Sequence, residues 1–348
     1  NITYLKDTTN IIQYTSKASI NWQKLNLKST ETLNIMQPTK NSISLNRVVG
    51  NEQSLINGAL NSNAQVWILN SNGILFGKSA SINTSGLLAS TKELSQKDFI
   101  NENYNLKGES RSPIINLGEI NIKDKSYAIL LANRVSNDGV IKATKGSVNL
   151  VGANEVTVNL NGNSLVDLEV NKGVLDALVE NNGAIYSSAG KIILTTNGVH
   201  DLLKGVVNND GIIEARGLND LIGEVELFAH GGEVNIGGII KANNGFVETS
   251  GKKISVKENT IVQAKTWLID PTDIIIDNAL ASSIEGQLNV GDMYIQTQST
   301  GDDSGDINVN SPISWSTSNK FTLDSHNDIN INESISATHS NGKLALYF

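Results

Sequence analysis

With 348 residues, 39% of them hydrophobic and 18% charged, the chain can bury a substantial core. A formal net charge of −8 argues against nucleic acid, heparin-like polyanions or anionic lipid as partners of the chain as a whole. Cysteine is absent, so stability must come from packing and backbone hydrogen bonding. No run of about 18 apolar residues exists that would span a membrane as a helix. There are 46 asparagines and only 4 prolines, the composition of a chain that turns often without proline.

In chain order, the first marked segments are Ile20-Asn21-Trp22-Gln23 with Leu25-Asn26-Leu27, then Gln37-Pro38 and Ser42-Ile43-Ser44-Leu45-Asn46-Arg47-Val48. Next come two β-branched and aromatic runs, Gln65-Val66-Trp67-Ile68-Leu69 and Gly73-Ile74-Leu75-Phe76-Gly77, which meet at Asn70-Ser71-Asn72-Gly73. That pattern predicts strand, tight turn, strand. With Gly77-Lys78 and Asn83-Thr84-Ser85-Gly86-Leu87-Leu88-Ala89-Ser90-Thr91, it resembles the core of the secretion domain of two-partner secretion exoproteins, the filamentous haemagglutinin group. Ser71 stands where that family usually carries proline, and its second motif, Asn-Pro-Asn-Leu, is missing.

Residues 92–112 are polar and charged, which predicts an extension or long loop. A repeat then follows: Asn116-Leu117-Gly118-Glu119-Ile120, Asn137-Asp138-Gly139-Val140-Ile141, Asn181-Asn182-Gly183-Ala184-Ile185 and Asn209-Asp210-Gly211-Ile212-Ile213, with Gly238-Ile239-Ile240 continuing it. The glycine intervals are 21, 44, 28 and 27, the second reading as two units of 22. A second glycine, at Gly146, Gly190 and Gly245, opens a further short strand in three units. Units of this size that cannot bury their own apolar face predict an all-β β-solenoid with short helical and loop extensions, and the family resemblance implies that it is a right-handed parallel β-helix. Ile120, Ile141, Ile185, Ile213 and Ile240 should form one inward column. A β-sandwich would also show short strands, but it gives no reason for Gly-x-Ile to recur in register. Apolar spacing predicts short helices at 173–180 and 198–204. Residues 1–20 should cap the first coil. After Asp270-Pro271 the texture turns to acidic Asn/Asp repeats, which resembles the junction in the same family between secretion domain and stem, and implies a secretion domain at 1–265 and the start of a repetitive stem at 266–348. The chain begins at Asn1 with no leader and stops at Phe348 with no cap, as a mature fragment would.

The chemistry motifs are weak. Gly73-Ile74-Leu75-Phe76-Gly77-Lys78-Ser79 has too few residues between its glycines for a phosphate loop. His200, His230, His326 and His339 lack ligand spacing, so no metal site is expected. Asp302-Asp303-Ser304-Gly305-Asp306 reads as a solvated acidic turn rather than a calcium loop. Three glycosylation sequons start at Asn1, Asn83 and Asn332, unsurprising in so asparagine-rich a chain. The acids Asp270 and Asp273 invite the alternative of a carbohydrate-active β-helix enzyme, a polysaccharide lyase or hydrolase.

What the resemblance implies is a non-enzymatic secretion and adhesion module without cofactors. It would be recognised by a cognate outer-membrane transporter with periplasmic recognition domains, exported through the periplasm, and seed β-helix folding at the surface of a Gram-negative cell. The downstream stem would meet a host-cell or matrix receptor, and the module would act as a monomer without nucleic acid. The residues assigned to transporter recognition are Asn21, Trp22, Asn46, Arg47, Asn70, Ser71, Asn72, Gly73 and Ile74.

Overall fold

A computed structural model describes the chain except residues 124, 161–165, 175, 198–204, 218–220 and 300–302. It is a parallel β-helix. Strands recur on three faces, and each pairs in parallel with its counterpart one coil above and one coil below. Leu33, Leu60, Ile82, Ile120, Ile141, Ile185, Ile213, Ile240 and Val262 form one continuous in-register column. The expected five-isoleucine column is its middle, and all five side chains are fully buried. Each buried isoleucine is worth about 1.5–3 kcal/mol of transfer free energy, so the column is a principal source of stability.

The corners are built from asparagine. Asn116 Nδ2 donates to Asn137 Oδ1, Asn137 to Asn181 and Asn181 to Asn209, each at 2.8 Å and each buried. A second, half-buried ladder runs through Asn121, Asn83, Asn61, Asn34 and Asn10. Stacking gives each carboxamide a donor on one side and an acceptor on the other, satisfying groups that would be costly to bury alone. The glycine beside each inner asparagine is required by close approach. A Cβ at Gly183 would lie 2.1 Å from the Gly139 carbonyl oxygen, and one at Gly211 2.1 Å from that of Gly183.

Two expectations are corrected. The 44-residue interval is one coil, because Ile141 pairs directly with Ile185. The surplus residues form an antiparallel hairpin, Glu155–Leu160 with Val166–Lys172, that leaves the helix and returns. The expected helix at 173–180 is replaced in its second half by the strand Leu178–Asn181, which pairs with Arg134–Asn137. Its three-and-four apolar spacing marks a corner, with Val174 and Ala177 buried on the way into a strand that buries Val179. The helix expected at 198–204 lies outside the described residues. A helix does occur at Asn278–Leu288, where Asp277 caps the Leu280 amide and Leu280, Ile284 and Leu288 are buried at intervals of four.

At the N-terminal end, Ile2–Leu5 pairs antiparallel with Thr8–Ile12, ending the parallel stack on that face. The capping expectation, made for residues 1–20, therefore fits only Ile2–Leu5, because Thr8–Ile12 already stacks in parallel on Thr32–Met36 and Lys17–Trp22 on Ile43–Val48. The parallel stack also runs without a break across residue 265, in strand Ile261–Asp270, and on to Lys343–Tyr347.

One face carries a second core. Its strands are buried on both sides: Val66 and Ile68 point inward, while Trp67 and Leu69 point into a cluster with Leu88, Phe99, Tyr104 and Leu106. The polar stretch 92–112 is thus an arm with apolar anchors, containing the short helix Gln96–Ile100 and the strand Asn105–Lys107. That strand joins the inserted hairpin in a three-stranded antiparallel sheet outside the helix. Tyr104 packs edge-on to Trp67 at 4.8 Å, and the Trp67 indole donates to Tyr127 Oη at 2.8 Å.

The secretion-motif corner

The nine residues assigned from sequence fall into two neighbouring groups on consecutive coils. Strand Gln65–Leu69 feeds directly into the turn Asn70 to Gly73, where Gly73 N donates to the Asn70 carbonyl at 3.0 Å. This turn is a corner of the coil, because strands Gln65–Leu69 and Ile74–Phe76 pair with the coils above and below instead of with each other. Gly73 sits at φ +102°, a conformation side chains rarely adopt, so glycine is needed there.

Asn70 is fully buried and uses its whole carboxamide. Nδ2 donates to the Glu52 carbonyl at 3.0 Å and to Ser54 Oγ at 2.9 Å, while Oδ1 accepts from the Asn72 amide at 2.9 Å. Asn72 Nδ2 reaches the Gly50 carbonyl at 3.0 Å, tying the turn to the previous coil. Ile74 is buried in register with Ser54 and Ile114. Ser71 is the exposed member.

The second group is joined by the parallel pairing of Lys17–Trp22 with Ile43–Val48. Buried Asn46 accepts the Trp22 indole N–H at 3.0 Å. Arg47 lies beside Asn21 and reaches outward, donating to the Leu94 carbonyl at 2.5 Å with Glu93 at 3.6 Å. The two groups are adjacent, since Asn46 and Arg47 register with Ile68 and Leu69, the residues that lead into the turn.

Both groups hold the same arm. Ser110 Oγ donates to the Ser71 carbonyl at 2.5 Å, and Lys17 Nζ donates to the Phe99 and Ile100 carbonyls at the C-terminal end of the arm's short helix. Lys17 and Ser110 were not singled out from the sequence. No local pattern marks them, because each acts on a partner tens of residues away.

The acids Asp270 and Asp273 do separate work. Asp273 Oδ1 accepts the amides of Gly305 and Asp306, each at 2.7 Å. Asp270 lines an open groove of about 390 Å³ with Glu248, His230 and Gln298, and accepts from Gln298 at 2.7 Å. Burial pushes its carboxyl above the ordinary range, the Gln298 bond pulling the other way and Glu248 adding to the rise. A folded-state pKa above the unfolded value means that ionised Asp270 costs stability at neutral pH, a cost relieved on acidification through the carboxylate range. Asp270→Asn should therefore raise Tm at neutral pH, with the gain vanishing in acid; an unchanged neutral-pH Tm would contradict this. Among the described residues no group of three or more acids and histidines could hold a metal ion.

The sequence model of the TPS secretion domain matches residues 2–241. A heme/hemopexin-binding protein of Haemophilus influenzae is 32% identical over 267 residues, which cover 74% of this chain and 29% of that protein. A second Haemophilus influenzae protein of the same name is 28% identical, covering 75% of this chain and 30% of its own. The chain thus spans about a third or less of these relatives' length. The crystal structure of the HMW1 secretion domain from Haemophilus influenzae superposes with a TM-score of 0.77 at 23% identity, covering 99% of this chain and 96% of that one, and so shares its fold. With the family model covering well over half of its length, the chain belongs to the TPS secretion-domain family, the secretion modules of two-partner secretion exoproteins.

Proposed function

We propose that the two motif groups are read by the partner outer-membrane transporter while the chain is extended in the periplasm, and become the corner of a coil only after export. The observation that carries this reading is burial. Asn70 and Ile74 have no exposed surface in the fold and Asn46 has 1%, so a receptor could touch their side chains only before folding. After export the same residues seed the first coils, on which the sequence after about residue 265 stacks as the beginning of a repetitive stem. Adhesion, or capture of a haem carrier of the kind named for the relatives, then belongs to sequence beyond this module.

The test is the amount of protein released when the chain is co-expressed with its cognate pore. Gly73→Val forces a side chain into positive φ, and Asn70→Ala removes four side-chain hydrogen bonds at the turn; both should reduce release severalfold. Ser71→Pro should be neutral or stabilise by up to about 1 kcal/mol through restriction of the unfolded chain. The periplasmic domains of the pore should bind the urea-unfolded chain and ignore the folded one. Equal binding of both forms, or undiminished release of both disruptive variants, would leave the motif a structural turn only.

A further inference from the structure

The arm and the inserted hairpin meet at a group of side chains outside the two motif groups. Lys92 is fully buried, an expensive position for an ammonium group. Its Nζ donates to the Ser110 carbonyl at 2.9 Å and to Asn154 Oδ1 at 2.9 Å. Asn154, itself 6% exposed, donates Nδ2 to Glu109 Oε2 at 2.7 Å. Glu109 Oε1 is paired with Lys172 at 2.8 Å. Amine, carboxamide and carboxylate therefore stand in one hydrogen-bonded file, the amine on the carbonyl side and the carboxylate on the amino side. Burial pushes the Lys92 amine down to about 8, against the opposing pull of Glu109, so the neutral, nucleophilic form is accessible near neutral pH.

We propose that Lys92 and Asn154 join in an intramolecular isopeptide bond once the domain has folded, with Glu109 as the proton-transfer group. Neutral Nζ attacks Cγ of Asn154, so that the Nζ–Cγ bond forms and the Cγ–Nδ2 bond breaks. One proton passes from Nζ through the Glu109 carboxylate to Nδ2, and ammonia leaves. Nothing is oxidised or reduced, and no co-reactant is needed. The fold supplies what an amine–amide exchange lacks in water: two groups held in contact, and an adjacent acid–base group in the solvent-facing Glu109.

The bond would weld the roots of the two arms of the outer sheet. Lys92 follows the buried strand Gly86–Ser90, and Asn154 immediately precedes the hairpin strand Glu155–Leu160. In a chain without cysteine it would serve as a permanent clamp that needs no oxidant. It would have to follow export, because a cross-linked loop cannot pass a pore as an extended chain. The chemistry itself is independent of how the transporter recognises the chain.

The test is intact-mass and peptide-map analysis of the purified, folded chain incubated above the amine pKa of about 8. The expected result is a mass lower by one ammonia, a single peptide species joining the segments that contain Lys92 and Asn154, and no tryptic cleavage after Lys92. Glu109→Gln should slow the reaction by about 10²-fold or more, as loss of a general acid–base does. Lys92→Arg should keep the full mass and unfold at a lower temperature than the cross-linked parent. An unchanged parent mass after prolonged incubation, in protein whose circular dichroism shows the fold intact, would overturn the proposal. A Glu109→Gln variant reacting at the parental rate would overturn the part given to Glu109.

Discussion

Ile185→Ala is expected to lower the unfolding free energy by about 2–5 kcal/mol, the range for truncating a fully buried large aliphatic side chain. The upper half of that range applies here because the site cannot collapse. Ile185 lies between Ile141 and Ile213 in register, and the distance between those coils is held by parallel backbone pairing on both sides. The cavity therefore persists, and both neighbouring isoleucines lose contacts as well. Urea unfolding with circular dichroism measures the effect. Ile275→Ala, at a position 60% exposed, is the control and should stay within about 0.5 kcal/mol. A loss below about 1 kcal/mol at Ile185 would show that the column does not anchor the stack.

The second large effect is expected from Asn137→Ala. Asn137 accepts from Asn116 and donates to Asn181, so its removal orphans a donor on one side and an acceptor on the other. All three side chains are fully buried, and each orphan costs about 1–3 kcal/mol because no water replaces the lost partner. Asn83→Ala breaks the corresponding pair of bonds in the half-buried ladder, where water can enter, and should cost less than about 1.5 kcal/mol. Equal losses at the two positions would mean that burial does not set the worth of these ladders.

The outward-facing side of the fold explains why some readings failed. Seen as sequence, 92–112 is a polar extension or long loop, and Phe99, Tyr104 and Leu106 are too few and too irregular to predict a core. They are buried because Trp67, Leu69 and Leu88 present an apolar outer face that no local pattern distinguishes from the inner one. The helix Asn278–Leu288 was legible in principle, from its Asp277 cap and its apolar residues four apart, but the strand-like Ile274–Ile276 run just before it masked the change of period.

What the sequence by itself determined is what repeats within a coil: the strand and turn at Gln65 to Gly73, the Asn-x-Gly-x-Ile units, and the isoleucines that must point the same way because each unit meets the same neighbour. These follow from short-range geometry, the alternation of a strand and the residues able to turn a tight corner. Only the tertiary structure decided which coil stacks on which, and with it that the long interval before Gly183 holds an excursion, not an extra coil. It also decided that the corner asparagines are an interior ladder, and that Lys17, Arg47 and Ser71 all grip one arm. Those outcomes depend on contacts between residues far apart in sequence, such as Lys17 with Phe99, 82 positions on, and Arg47 with Leu94, 47 positions on. Stacking energy, rather than local propensity, selects the register of such contacts.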